Sequence, residues 1–179
     1  MQKDQERFAE LTLLKASERN YPATPEEAKL ESFQNRYADR DYIVEFDCPE
    51  YTSLCPVTGQ PDYGHLTIRY IPDKRCIESK SLKLYLYAFR NHPTFHEEAV
   101  NTVLDAIVAA CSPRAAEVVG CFRPRGGIAI NVTARYGEKF LWTRPPSPLW
   151  KTARSRRPPD SSPPASPPGS KRAARRILP

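Results

Sequence analysis

Cys55 and Asp62 bracket the run PVTGQP, which is dense in turn formers, so the chain can fold back there and bring thiol and carboxyl together. A thiolate is a soft nucleophile suited to an electron-poor carbon such as a nitrile, aldehyde or thioester, and a carboxyl group beside it can carry the proton. The same pair equally describes a buried, inert cysteine next to a turn-capping aspartate. His92 and His96 are four apart, a spacing that faces one metal from a helix, but Pro93 belongs near a helix start and puts His92 outside it. With no HExxH arrangement either, no metal site is expected. Glu97 stands three residues after Thr94, the place of a capping-box glutamate, so a binding role for it competes with a structural one.

Lys80 and Lys83, at i and i+3, would present two ammonium groups to one phosphate from a helix, although a solvated charged face is the commoner use of such a pair. Arg125, followed by Gly126 and Gly127, offers a guanidinium and backbone N–H donors to an anion, or is simply part of a turn between strands. No GxGxxG follows a strand and no GxxxxGK[ST] occurs, so no nucleotide is held in Rossmann or P-loop fashion.

The elements that must position these residues follow from periodicity. Residues 41–47 (DYIVEFD) and 64–71 (GHLTIRYI) alternate apolar with polar and read as half-buried strands. Between them, residues 49–62 carry three prolines and a glycine, which predicts a shaped, functional loop rather than a hairpin turn. Residues 79–91 are ambiguous, since Leu82, Leu84 and Leu86 alternate like a strand while Lys80, Lys83 and Tyr87 suit one helix face. Thr94 to Glu97, then Ala99, Val100, Val103, Leu104, Ile107, Val108 and Cys111, predict an amphipathic helix with a capping-box start. Residues 116–122 and 127–136 read as two more strands. The order β, β, α, α, β, β is that of an α+β domain. Helices inserted between two hairpins cover one sheet face, so so small a unit is expected to bury its other surfaces against copies of itself.

Composition sets the limits. Of the 19 prolines in 179 residues, 10 fall within 144–179, a density no packed element holds. Residues 1–29 are expected to form a peripheral arm, 30–143 the domain and 144–179 a disordered Pro/Ser/Arg-rich basic tail. That tail carries 9 Lys/Arg against Asp160 alone, whereas residues 1–143 carry 18 basic against 20 acidic residues. The net charge of +6 therefore resides in the tail, which supports at most weak, salt-sensitive contact with nucleic acid. No run of about 18 apolar residues suggests a membrane span, and the polar opening does not read as a signal peptide, so a cytoplasmic protein is expected. The five cysteines lack CxxC spacing, which argues against a disulfide framework or a zinc ribbon.

Four separated stretches carry a resemblance: FDCPEYTSLCPVTGQPDYG at 46–64, ESKSLKLY at 78–85, FHE at 95–97 and RGG at 125–127. In this order they closely resemble the single-module QueF-type 7-cyano-7-deazaguanine reductases, over about residues 30–143. The resemblance implies the tunnelling fold, with ββααββ subunits joined edge to edge into a barrel, stacked rings and active sites between subunits. It makes residues 79–91 the first of the two helices. It implies NADPH-dependent, four-electron reduction of the nitrile to the aminomethyl compound, a step in making queuosine, a modified tRNA nucleoside. By the same resemblance Cys55 is the nucleophile that forms a thioimide and Asp62 the proton donor. Ile77, Glu78, Ser79, His96 and Glu97 are substrate-binding, with Glu97 on the polar edge of the ring, and Lys80, Lys83 and Arg125 receive the cofactor. Two other readings compete: a relative that transfers an amino group to the same deazapurine, expected to lack the ESKSxK run, and a nucleic-acid or scaffold protein acting through its tail.

Overall fold

The computed structural model describes residues 21–137. The chain divides into two units, 1–148 and 149–179, and every described residue belongs to the first. Residues 1–20 of the expected peripheral arm and the tail at 144–179 lie outside the described residues. Six strands and two helices follow in the order β1 (Ser32–Gln34), β2 (Val44–Leu54), β3 (Pro61–Ile71), β4 (Arg75–Ile77), α1 (Ser79–Ala88), α2 (His96–Cys111), β5 (Ala115–Phe122) and β6 (Asn131–Tyr136), with a 3₁₀ turn at Phe89–Asn91 between the helices. The main sheet has the order β2-β3-β5-β6, all antiparallel, while β1 and β4 pair as a separate ribbon. The main sheet and its helices reproduce the expected β, β, α, α, β, β order; the ribbon is an addition that the sequence pattern did not announce.

The expectation of a shaped loop over 49–62 is corrected. β2 runs to Leu54 and pairs with β3 up to Leu54 opposite Pro61, so this stretch is a hairpin whose connection is only residues 55–60. Its prolines sit where a ladder tolerates a missing N–H. Pro49 lies at a bulge between Cys48 and Tyr51, on a strand at the sheet edge. Pro56 is in the connection, and Pro61 is the first residue of β3. The bulge inserts one residue, so it reverses the alternation: Val44, Phe46 and Cys48 pack against the core before it, and Tyr51 after it.

Leu66, Ile68 and Tyr70 of β3 with Ala116, Val118 and Phe122 of β5 turn to the helices, where Leu82 and Tyr85 of α1 and Ala99, Val100, Val103, Leu104 and Ile107 of α2 meet them in one core. Gly120 makes that contact close, because a Cβ there would stand 2.6 Å from Val100 Cγ2. On the opposite face, register aligns Glu45, Arg69, Glu117 and Arg135 across all four strands as a rung of alternating charge. Arg69 bonds Glu45, Arg135 Nε donates to Glu117 at 2.7 Å, and Arg69 Nη1 lies 3.9 Å from Glu117. The polar face is therefore internally paired.

The start of α2 differs from the capping-box expectation. α2 begins at His96 with Phe95 as N-cap and no side-chain cap; the Thr94 hydroxyl reaches its neighbour's carbonyl and Glu98 Oε2 instead. Glu97 thus sits in the first turn with its carboxylate free of capping duty, exposed, and favourably placed toward the helix dipole. α1 is capped by Glu78, whose carboxylate accepts from Lys80 N at 2.8 Å and Ser81 N at 2.7 Å. His92 lies outside α2, as Pro93 requires.

Candidate functional site

Cys55 opens the β2–β3 connection. Its N–H donates to the Gln60 carbonyl and its carbonyl accepts from Gly59 N, both at 2.9 Å, and Gly59 closes the turn at φ 66. The turn gathers donors around sulfur. The Thr58 hydroxyl, then the Thr58 and Val57 backbone N–H groups, and least the Arg125 guanidinium, bring the thiol down to about 7 against a smaller opposing effect of burial. Burial instead pushes Cys48 up to about 11 and Cys111 up to about 12. Near neutrality Cys55 is thus divided between thiol and thiolate, whereas those two stay thiols.

Asp62 stands across the strands from Ser53 and is 4 % exposed. Arg125 Nη1 donates to its Oδ1 at 2.5 Å, while Arg125 Nη2 reaches Gln60 Oε1 at 2.5 Å and Thr58 Oγ1 at 3.4 Å. Asp62 first and then Cys55 raise the proton affinity of that guanidinium, so one cation spans carboxylate and thiol. Its placement is local: Gly126 and Gly127, at φ 57 and 83, make a two-residue turn closed by reciprocal 3.0 Å hydrogen bonds between Arg125 and Ile128.

Residues 92–94 run beside the end of β2, with Leu54 N donating to the His92 carbonyl at 3.1 Å and Thr94 N to the Leu54 carbonyl at 3.0 Å. This docks the start of α2 at the site. His96 stacks on Phe122 at 3.9 Å and 15°, with Nε2 3.5 Å from Asp62 Oδ2 and outside hydrogen-bond geometry. The Phe122 ring lies over Gly64, where a Cβ would be 2.9 Å from Phe122 Cδ1. Glycine at 64 thus sets the height of the imidazole above the sheet.

Cys55, Asp62, His96, Glu97 and Arg125 therefore gather at one end of the main sheet. Ile77, Glu78 and Ser79 do not join them. Ile77 N donates to the Tyr70 hydroxyl, and Tyr70 is eight residues along β3 from Asp62, roughly 26 Å of strand. Lys80 and Lys83 follow on α1. Ser79, Lys83, Tyr87 and Arg90 line a groove of about 430 Å³ against residues 46–52 of β2, the bulge included, with the Arg90 guanidinium over the Tyr87 ring at 5.1 Å. Among the described residues no three His, Cys, Asp or Glu side chains converge as a metal site.

Reading by residue type missed Thr58, Arg90 and the place of Arg125 beside the thiol. Thr58 lies within the turn-former run and Arg90 follows Lys83 by two turns, signals visible only once the turn and the helix are assigned.

Fold and site together define an α+β protein with a half-buried thiol, brought down to about 7, beside a guanidinium that bonds a buried carboxylate. Residues 61–140 match the family model described as "QueF-like protein". An NADPH-dependent 7-cyano-7-deazaguanine reductase of Streptococcus thermophilus is 53 % identical over 133 residues, covering 74 % of this chain and 82 % of its own length. One from Neisseria gonorrhoeae is 48 % identical over 138 residues, covering 77 % and 88 %. The chain belongs to this family of NADPH-dependent 7-cyano-7-deazaguanine reductases. The apo crystal structure of the archaeosine synthase QueF-Like is 21 % identical, with a TM-score of 0.49 over 55 % of this chain and 94 % of that one.

Proposed function

We propose that this chain reduces the nitrile of 7-cyano-7-deazaguanine to the primary amine, a step of queuosine biosynthesis, through a thioimide on Cys55. The observation that carries the reading is the single guanidinium of Arg125 shared between a thiol brought to about 7 and the buried Asp62. Sulfur attacks the nitrile carbon, and Asp62, held as an acceptor by Arg125, takes the thiol proton and passes it to the nitrile nitrogen. His96 walls the same space on Phe122. Glu97, free of capping duty, is available to accept the adjacent N–H groups of a guanine-like edge.

When bound, NADPH supplies the hydride, twice for each nitrile. The groove lined by Ser79, Lys83 and Arg90 suits a phosphate-bearing cofactor, with two cations and a hydroxyl along one helix face, and Lys80 one turn earlier adds charge. Because Ile77 to Lys83 are remote from Cys55 within one chain, the reading places the complete site between copies, with Cys55, Asp62, His96 and Glu97 from one and the α1 residues from another. β2 and β6 end the four-stranded sheet, and the charged rung ends in Glu45 on β2 and Arg135 on β6. Opposite charges on opposite edges favour head-to-tail pairing, which closes into rings. The reading expects a cytoplasmic enzyme; no helix among the described residues is long and apolar enough to cross a membrane.

The test is intact-protein mass after mixing the chain with 7-cyano-7-deazaguanine, with and without NADPH, beside Cys55→Ala. An adduct of substrate mass is expected that requires Cys55 and disappears as NADPH is oxidised. A well-folded oligomer that gives neither adduct nor oxidation removes the reading.

A further inference from the structure

Asp62 has a second side that the reaction described so far does not use. The bulge turns Tyr51 and Ser53 of β2 onto the helix-facing side of the sheet, where Ser53 is the cross-strand partner of Asp62. Ser53 is 0 % and Tyr51 3 % exposed. The two hydroxyls and His96 Nε2 are buried without a hydrogen-bond partner among the described residues. Unpartnered buried polar groups are costly, and apolar side chains at 51 and 53 would pack here without that cost. Tyr51 stays protonated, because burial pushes its phenol well above the ordinary range; the nearby Ser53 hydroxyl works the other way, and the charge of Asp62 adds to the rise. Both groups therefore keep a proton to donate on the side of the sheet that Asp62 shares.

We propose that Ser53 and Tyr51 are positioning residues: their hydroxyls donate through a bridging water to the inner side of the Asp62 carboxylate and keep its outer side turned to Arg125 and the thiol beyond it. The inference rests on the reading of Cys55 and Asp62 given above. In thiol addition the S–H bond breaks and its proton goes to Asp62. The S–C bond forms as one nitrile π bond opens, and the proton passes from Asp62 to nitrogen, so that neither oxidant nor reductant is needed. Asp62 alternates between carboxylate and acid, and donors on its buried side stabilise the carboxylate form in one orientation. The charged and titratable groups that face it are Arg125 from the β5–β6 connection, His96 from α2 and Tyr51 from β2, with the Cys55 thiol beyond the Arg125 guanidinium. Replacing Ser53 changes none of their charges.

The experiment follows adduct formation between the full chain and 7-cyano-7-deazaguanine without NADPH, by intact mass over time across the neutral pH range, for the parent, Ser53→Ala, Ser53→Thr and Tyr51→Phe. Ser53→Ala is expected to slow the adduct about tenfold, the order of a hydrogen bond to a charged group. The final extent should be unchanged, because the hydroxyl positions the proton-carrying group and takes no part in the bond formed. Tyr51→Phe should slow the adduct less, Ser53→Thr should restore the parent rate, and the rise of rate with pH through the Cys55 titration should keep its midpoint in all three. A Ser53→Ala chain with the parent's rate overturns the proposal, as does a Ser53→Thr chain as slow as Ser53→Ala or a midpoint that moves in Ser53→Ala. If Ser53→Ala does not fold, Tyr51→Phe decides, because it keeps the ring. A parent chain that forms no adduct overturns the thioimide reading itself, before any variant is compared.

Discussion

The lowered pKa of Cys55 owes more to the turn than to the cation beside it. The Thr58 hydroxyl is the largest influence lowering its titration and Arg125 the smallest, which fits a surface guanidinium screened by water. The rate of iodoacetamide alkylation at Cys55 should rise with pH through about 7 in the parent, because the thiolate is the reacting form. Thr58→Val should shift that midpoint upward toward the ordinary 9.0, and Arg125→Ala should shift it less. An unmoved midpoint in Thr58→Val would show that the turn does not set the thiolate. Residue types alone indicated Cys55 and Asp62 as a pair, and the family motifs indicated Arg125. Thr58 was not legible because a hydroxyl in a turn looks the same whether it faces solvent or sulfur.

At the scale of elements, the site depends on two departures from regular strand structure. The bulge at Cys48/Tyr51 decides which β2 side chains share a face with Asp62, and Gly64 allows Phe122 to lie under His96. Gly64→Ala forces that ring aside and is expected to cost about 1–3 kcal/mol of stability, read as a lower denaturant midpoint. It should also slow the Cys55 adduct, since the imidazole moves with the ring; parent-like stability and rate would count against this account of glycine at 64. The α2 stripe was legible residue by residue, because a 3.6-residue period survives any packing. The 49–62 hairpin was not. Prolines break patterns in sequence, yet at a bulge, in a connection and at a strand start they remove no needed hydrogen bond.

For the whole molecule, the separation of Cys55 from the α1 residues has a direct consequence. Cys55→Ala, and a chain with Lys80→Glu and Lys83→Glu together, should each be inactive alone. If each site takes one half from each of two copies, subunit exchange between them should recover up to about a quarter of parental turnover. A mixture that stays inactive, although differently tagged copies purify together, would return the site to a single chain. The sequence by itself determined the α+β order, the nucleophile and acid candidates, the amphipathic α2 and the family, since motif spacing and periodicity are local properties that the chain carries into any environment. Only the tertiary structure decided that Arg125 lies between thiol and carboxylate, that Glu78 caps α1, that Ser53 stands across the strands from Asp62, and that the predicted site residues divide between two places on the domain. These are matters of strand register and sheet length, set by pairing between segments far apart in the chain.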